Sequence, residues 1–321
     1  MSNVLITSGG RRVSLVRAFK KELKSLIPNG EVYVTDVNPK LSAAAQVADR
    51  AFKICKIEDE NYISDLLKLC QDHAVRIIIP TLDPELNVLA KNESKFKELD
   101  VHLVLSSKEF IDICSDKLKT HDLFESVNID VAKVYDKTNY ELPIFIKPKN
   151  GSNSVDTYII EHASQISEYH LENGNLQFFE YFNKEEYDEY TCDLYFDKRS
   201  HLKCVIPRKR IEVRGGEVSK GVTCNNYVKT VLENKFKTLK DARGCICIQL
   251  FMNKDKVIKG IEINARFGGG FPLAYLAGGN YPKWIIQEYI LNESINYFND
   301  WEDNLLMLRY DDEIIINDYE N

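Results

Sequence analysis

The feature that most constrains the fold of this sequence is a pair of apolar runs separated by a short polar break. The runs occupy residues 246–251 and 257–263, and the break is Asn253-Lys254-Asp255-Lys256. Such a pattern predicts a β-hairpin. With the turn centred between Asp255 and Lys256, Gln249 stands opposite Glu262, and residues paired across two strands share a face.

One face of this hairpin carries groups suited to metal and phosphate chemistry. Glu262, Asn264 and Arg266 alternate with apolar residues, so the period of two places them on the face of Gln249. Carboxylate and amide oxygens suit Mg²⁺, which shares its shell with substrate phosphates. Arg266 can hold a phosphate with its planar guanidinium. A half-exposed hairpin with polar residues facing water explains the same pattern equally well.

Composition and length exclude several classes of protein. A chain of 321 residues exceeds one typical core, so we expect two or three lobes. The net charge of −7, without a run of Lys and Arg, argues against nucleic acid as a partner. No apolar run approaches a membrane span, and the N-terminus lacks the pattern of a signal peptide. We therefore expect a cytoplasmic protein with its eight cysteines reduced and no membrane partner.

Residues 1–110 alternate predicted strands and helices, which is typical of a parallel, doubly wound sheet. Ligands of such sheets bind beyond the carboxyl ends of the strands. A glycine turn before a helix can also hold an anion on backbone N–H groups, although a plain connecting turn explains it as well. The candidate substrate-binding residues from this region are Gly9, Gly10, Arg11, Asp83 and Glu85.

A second lobe is predicted after residue 110. Lys147 ends a predicted strand and is followed by a loop of small residues of a kind that can close over phosphates. A surface lysine beside a flexible loop is the simpler alternative. The loop contributes the candidates Gly151, Ser152 and Ser154.

Two further groups lie near the hairpin in sequence. The densest cationic cluster contains Arg210 and Lys220, between strands expected to share a sheet with the hairpin, although solvated loop charge is its default explanation. After the hairpin, three glycines at the start of a helix expose N–H groups that could bind an anion. These glycines are Gly268, Gly269 and Gly270.

Taken in order, these motifs resemble the ATP-grasp superfamily, and most closely its members similar to the large chain of carbamoyl phosphate synthetase. The most specific part is Gln249 followed by Glu262-Ile263-Asn264-Ala265-Arg266, where Ala265 replaces the proline of the family pattern. The resemblance covers nearly the whole chain. It implies an α/β fold with α+β lobes, in which a Rossmann-like parallel sheet (residues 1–110) precedes a two-lobed ATP-grasp domain (a small lid lobe at 111–182 and a large lobe at 183–321).

The resemblance also implies roles for individual residues. Gln249, Glu262 and Asn264 would hold Mg²⁺, with Mn²⁺ as an alternative. Arg266 would stabilise the transferred phosphoryl group; Arg210 and Lys220 are added as catalytic candidates from the cationic cluster, not from the family pattern. The residues implied to bind ATP are Lys117 and Lys147 at the phosphates, Gly151, Ser152 and Ser154 in the phosphate loop, Glu180, Tyr181 and Phe182 at the adenine, and Glu189 at the ribose, with Glu186 also fitting that motif.

The implied activity is ATP-dependent ligation of a small carboxylate to an amine or similar nucleophile through an acyl phosphate, releasing ADP and phosphate. Two alternatives remain open at this stage. The chain could be a phosphoryl-transfer module that forms a carboxy- or carbamoyl phosphate with a partner chain, or a nucleotide-binding protein without turnover. A homodimer is compatible with the resemblance.

Overall fold

A computed structural model describes residues 2–149 and 155–317 of the chain. The first 110 residues form a parallel five-stranded sheet in the order β3-β2-β1-β4-β5, flanked by helices. This confirms the predicted doubly wound sheet. Its elements are β1 (Asn3–Ile6), α1 (Val13–Leu26), β2 (Val32–Asp36), α2 (Ala43–Val47), β3 (Arg50–Lys53), α3 (Tyr62–Asp72), β4 (Val75–Ile79), α4 (Asp83–Lys91), α5 (Glu93–Glu98) and β5 (His102–Leu103).

The next segment builds a small four-stranded sheet in the order β7-β10-β8-β9. It has its own apolar core, formed by Ile144, Ile146, Ile160, Leu176 and Phe178, so it is a separate packing unit. The elements of this segment are α6 (Lys108–Ser115), α7 (Lys117–Ser126), β6 (Asp130–Val131), β7 (Val134–Tyr135), β8 (Ile144–Pro148), β9 (Tyr158–Ile160), α8 (Glu168–Glu172) and β10 (Leu176–Glu180).

The rest of the described chain forms a seven-stranded, mainly antiparallel sheet in the order β16-β13-β12-β11-β14-β15-β6. Strand β6 joins this sheet although it precedes the small sheet in sequence. The remaining elements are β11 (Tyr187–Phe196), β12 (Leu202–Arg214), β13 (Glu217–Thr223), α9 (Tyr227–Lys235), β14 (Gly244–Asn253), β15 (Ile258–Asn264), α10 (Phe271–Leu276), α11 (Tyr281–Tyr289) and β16 (Leu306–Leu308). Short 3₁₀ helices lie at Pro39–Leu41 and Ala163–Gln165.

The N-terminal lobe and the large sheet share their apolar cores. Val4, Ile6 and Phe19 of the N-terminal lobe belong to one buried cluster with Phe271 and Tyr281 of the C-terminal region. Because burial of apolar surface is the main favourable term in folding, this shared cluster holds the two lobes together. A cleft can therefore form between the carboxyl ends of the parallel strands and the open face of the large sheet.

One alternative for local structure is excluded. The cationic cluster around Arg210 does not lie in a solvated loop, because β12 runs from Leu202 to Arg214 and pairs with β13. Alternation along a long strand, rather than a turn, decides where each charge points.

Candidate active site

The β14–β15 hairpin has the predicted register. Gln249 pairs with Glu262, and an irregularity beyond Gln249 then brings Leu250 opposite Gly260. The side-chain amide of Asn264 donates to Glu262 Oε1 at 3.1 Å, so these two groups lie side by side on one face. The sequence therefore contains enough local information to assemble this polar face, which is named the metal-binding face after the role predicted for it.

Arg266 follows the strand and is fixed by the N-terminal lobe. Its Nη2 lies 2.5 Å from Asp83 Oδ2 and 3.5 Å from Asn264 Oδ1. The side chain is largely buried, and its Nε has no hydrogen-bond partner among the described residues. Burial alone would lower the pKa of Arg266, but Asp83 outweighs it and raises that pKa. The guanidinium is thus held charged beside the metal-binding face.

Helix α7 packs directly on the hairpin and brings the first lysine to it. A Cβ on Gly260 would lie 2.5 Å from the ring of Phe124, so the two elements touch through a position without a side chain. Lys117 stands at the start of α7, where Asp116 caps the helix. Burial lowers the pKa of Lys117, and the carboxylate of Glu262 opposes that effect.

Lys147 reaches the same place from β8 in the small sheet. It is 7% exposed, and its Nζ lies 4.5 Å from the centroid of the Phe179 ring. Burial lowers the pKa of Lys147 to about 8; Glu262 acts in the opposite direction, and Lys117 adds to the lowering. Two lysines from different elements thus face one carboxylate, an arrangement that concentrates positive charge where phosphates would lie.

The residues present fit a hard divalent cation. The described part of the chain contains no cluster of three or more His, Cys, Asp or Glu side chains that could hold a metal. The hairpin instead offers one carboxylate and two side-chain amides, from Glu262, Gln249 and Asn264. Mg²⁺ accepts such a small set of oxygen ligands when waters and substrate phosphates complete its shell.

Arg210 links the metal-binding face to Glu189. Its Nη1 donates to Glu189 Oε1 at 2.6 Å and to Gln249 Oε1 at 3.4 Å. Burial raises the pKa of Glu189, and Arg210 opposes this shift. Glu189 lines the cleft, whereas Glu186 is exposed and does not. The geometry therefore favours Glu189 over Glu186 as the ribose-binding candidate.

Part of this cleft is aromatic. Glu180, Tyr181 and Phe182 line it together with Phe251 of β14, and the Phe182 and Phe251 rings lie 5.3 Å apart. The carboxylate of Glu180 also accepts a hydrogen bond of 3.1 Å from the backbone N–H of Lys133. Aromatic side chains with one polar edge are suited to a flat heteroaromatic ring. The predicted adenine segment thus lines the same cleft as the two lysines.

His121 is a cleft residue that the sequence analysis missed. It is 4% exposed, lines the same cleft, and neither ring nitrogen has a hydrogen-bond partner among the described residues. Burial and the nearby charge of Lys147 lower its pKa to about 4. Its position four residues after Lys117 places both on one face of α7, which is the signal that could have found it.

Two adjoining clefts meet at Arg266. The first, of about 430 Å³, contains the residues above and is called here the nucleotide cleft. The second, of about 370 Å³, lies against the N-terminal lobe and is called the acceptor cleft. Residues that line both are Arg12, Glu217, Arg266, Gly268 and Gly269.

Most of the predicted substrate residues line the acceptor cleft. Gly9, Gly10, Arg11 and Asp83 do so together with Gly268 and Gly269. Gly270 lines the nucleotide cleft instead, where a Cβ would lie 2.1 Å from Nη1 of the buried Arg208. The predicted phosphate-loop residues Gly151, Ser152 and Ser154 lie outside the described residues.

Two predicted site residues lie elsewhere. Glu85 is fully buried and accepts a hydrogen bond from Tyr62, so it cannot contact a substrate. Lys220 points to the protein surface and forms an ion pair of 2.6 Å with Glu212. Arg210 pairs across the sheet with Gly221, so alternation along β13 places the neighbouring Lys220 on the other face, and an irregularity in β12 brings Glu212 opposite it. The predictions of a substrate contact for Glu85 and a catalytic role for Lys220 are therefore wrong.

Comparison with known proteins identifies the class of this fold and site. Residues 4–104 match the family model described as PylC-like, N-terminal domain. Residues 179–310 match the model described as ATP-grasp in the biosynthetic pathway with Ter operon. The predicted membership of the ATP-grasp superfamily is confirmed, and with it the prediction of an enzyme. No curated protein is significantly similar to the chain in sequence.

Solved structures agree with this fold. The biotin carboxylase domain of Hydrogenobacter thermophilus 2-oxoglutarate carboxylase, solved with MgADP and bicarbonate, has a TM-score of 0.69 at 14% identity over 94% of this chain and 73% of its own. Staphylococcus aureus N5-carboxyaminoimidazole synthetase with ADP gives 0.70 at 14%, over 95% and 79%. L-amino acid ligase from Bacillus licheniformis gives 0.65 at 15%, over 90% and 74%. None of the helices that the structure describes has the length and hydropathy to span a bilayer.

Proposed function

We propose that the protein is an ATP- and Mg²⁺-dependent ligase that joins a small carboxylate to an amine or similar nucleophile and releases ADP and phosphate. The observation that supports this most directly is the junction of the two clefts. The nucleotide cleft holds the proposed metal ligands, the buried Lys147 and the half-buried Lys117, and Arg266 lines both this cleft and a second one large enough for a small molecule. A nucleotide-binding protein without turnover has no need for such a junction.

Each residue has a proposed task. Gln249, Glu262 and Asn264 would hold Mg²⁺, which would neutralise charge on the ATP phosphates. Lys117 and Lys147 would bind the phosphates from the opposite side. Further contacts are proposed for Glu189 at the ribose, for Glu180, Tyr181 and Phe182 at the adenine, and for Gly151, Ser152 and Ser154 in the phosphate loop.

The chemistry would proceed in two steps. A carboxylate oxygen attacks the γ-phosphorus, the bond between that phosphorus and the β,γ-bridging oxygen breaks, and ADP leaves. The resulting acyl phosphate is attacked at its carbonyl carbon by the amine, which loses a proton as phosphate departs. Arg266 and Arg210 would stabilise the negative charge that develops on the transferred group, and the backbone N–H groups of Gly268 and Gly269, which line the junction, would assist them. Preorganised donors of this kind stabilise charge without reorganising.

The decisive experiment traps the first intermediate. Hydroxylamine added with MgATP and a panel of carboxylic acids, including bicarbonate, should yield a hydroxamate with the correct acid. Acid labelled with ¹⁸O should pass one label to the released phosphate. Acid-dependent ADP release with all of the label retained in the acid and its product would exclude an acyl phosphate. Turnover with bicarbonate alone would favour a carboxyphosphate-forming module that works with a partner chain.

A matched pair of variants tests the metal assignment. Glu262→Gln removes the one carboxylate of the proposed ligand set and should lower acid-dependent ADP release by at least about hundredfold. Glu125→Gln changes an exposed carboxylate on α7 outside both clefts and should leave the rate unchanged. Equal rates in both variants would contradict the metal site at the hairpin.

Two further properties belong to this proposal. We propose a reducing, cytoplasmic location, supported by the eight cysteines, all of which are free. We also propose a homodimer, by analogy with the Hydrogenobacter thermophilus domain, which was solved as a dimer. Light scattering of the purified chain tests the second point, since a monomer over the micromolar range would contradict it.

A further inference from the structure

The acceptor cleft contains more positive charge than its own carboxylates neutralise. Its charged lining consists of four arginines and two acids. Both acids are already in ion pairs, Asp83 with Arg266 at 2.5 Å and Glu217 with Arg309 at 2.9 Å. Neither carboxylate is therefore left unpaired to receive a cationic group of a substrate.

The other two arginines, Arg11 and Arg12, have no ion pair and no side-chain hydrogen bond with any residue that the structure describes. Arg12 is largely shielded from solvent and lines both clefts, whereas Arg11 is exposed and lines the acceptor cleft alone. Burial lowers the pKa of Arg12 and the neighbouring charge of Arg266 lowers it further, while Glu217 and Asp83 oppose this shift only in part. Holding two guanidinium groups close together costs free energy, and a bound anion would offset that cost.

The turn that carries these arginines is fixed in shape. Ser8 and Gly10 have positive φ values of 54° and 50°, and the backbone N–H of Gly10 donates to Asp36 Oδ2 at 3.1 Å. A Cβ on Gly9 would lie 2.5 Å from the side chain of Val34, so the turn sits tightly on β2. Helix α1 begins directly after the turn, without an acidic residue in its first turn. The N-terminal end of α1 therefore adds a favourable potential for an anion, and the arginines are preorganised.

Arg11 and Arg12 lie at different depths in the acceptor cleft. Arg12 shares the junction with Arg266, next to the metal-binding face, while Arg11 lies toward solvent on the same turn. A ligand that fills the cleft from the junction outward would meet one cationic group at its reacting end and another at its distal end. The volume of about 370 Å³ suits a small molecule better than a peptide.

We propose that the carboxylate substrate carries a second anionic group, so that Arg12 and Arg266 hold the reacting carboxylate and Arg11 binds the distal anion. The substrate class is a small dicarboxylic acid or a phosphorylated carboxylic acid. This inference rests on the proposed ligase function, because it assigns the acceptor of that reaction. An amino acid is disfavoured as acceptor, since its ammonium group would face paired carboxylates and unpaired arginines.

Calorimetric titration of the full chain loaded with MgADP tests this directly. The probes are glutarate, 3-phosphoglycerate, butyrate and alanine, which offer a second carboxylate, a phosphate, no second charge and an ammonium group. Glutarate and 3-phosphoglycerate are called the dianions here because each carries two anionic groups. At least one of them should bind at least about tenfold more tightly than butyrate and alanine. Comparing glutarate with 3-phosphoglycerate tells which distal anion fits. Butyrate or alanine binding as tightly as both dianions, or no probe binding at all, would overturn the proposal.

Variants locate the distal contact. Arg11→Gln should abolish the preference for a dianion and leave butyrate binding unchanged, while Arg11→Lys should retain part of the preference. Arg17→Gln is the matched control, because Arg17 is exposed on α1 and lines neither cleft. An unchanged preference in Arg11→Gln, with the fold confirmed by circular dichroism, would refute the role of Arg11.

The two proposals fail separately. These titrations contain ADP and require no turnover, so they report on the acceptor cleft alone. Dianion binding without acid-dependent ADP release would refute the ligase and keep the site. Hydroxamate formation with a monocarboxylate or an amino acid as the best substrate would keep the ligase and refute the dianionic acceptor.

Discussion

The buried position of Lys147 makes nucleotide binding depend on pH in a defined direction. Its pKa is lowered from 10.5 to about 8, mainly because burial disfavours the charged ammonium. That difference corresponds to roughly 3 kcal/mol in favour of the neutral amine at about 1.4 kcal/mol per tenfold change. The negative phosphates of a bound nucleotide would raise the pKa of Lys147 again. Binding between pH 8 and 10.5 should therefore take up a proton.

The size of the effect follows from the same values. At pH 9 only about one tenth of the free protein carries a charged Lys147, so the affinity for MgATP should be about tenfold lower than at pH 7. Titration calorimetry in two buffers with different ionisation enthalpies measures both the affinity and the proton uptake. The free energy of unfolding changes in the opposite direction to the affinity. Between pH 8 and 10.5 the unfolded chain holds a proton on Lys147 that the folded protein lacks, so the contribution of Lys147 to stability rises with pH.

A pair of substitutions tests whether Lys147 causes the pH dependence of MgATP affinity. Lys147→Arg keeps the charge throughout the window and should flatten the pH dependence of MgATP affinity. Lys119→Arg changes an exposed lysine of α7 and should retain the dependence of the original protein. An affinity that stays constant from pH 7 to 9.5, or the same slope in Lys147→Arg, would refute the reasoning.

Three further predictions follow from single residues. Gly270→Ala should lower the free energy of unfolding in urea by about 3 kcal/mol, because the new Cβ would meet the buried guanidinium of Arg208. The control Gly174→Ala should be nearly neutral, because no atom lies within 4 Å of its Cβ. Lys220→Gln should keep its turnover within about twofold, since an exposed ion pair contributes little; a loss above tenfold would restore a catalytic role. Between pH 7 and 5 the free energy of unfolding should fall by about 2 kcal/mol, because the unfolded chain protonates His121 in this range and the folded protein does not. His121→Phe should abolish this fall. The same fall in the variant, measured by urea unfolding, would contradict the prediction.

The sequence by itself contains the parts of the site that depend on neighbours along the chain. The pairing of Gln249 with Glu262 follows from the spacing around one short turn, and the structure has that register. The order of strands and helices in the first 110 residues likewise follows from local periodicity. The resemblance to the superfamily then pointed to Lys117 and Lys147, which the fold brings to the nucleotide cleft. In each case a few adjacent residues carry the signal.

Only the tertiary structure decided which charged groups remain available to bind a ligand. Asp83 and Arg266 are 183 residues apart in sequence, yet their ion pair removes Asp83 from the groups that could bind a cation. Burial against Tyr62 removed Glu85, and the irregular pairing of β12 with β13 placed Glu212 opposite Lys220, with which it forms an ion pair. The pairing and exposure of a charge depend on which distant segments pack around it. Periodicity describes one segment at a time, so it carries no information about those neighbours.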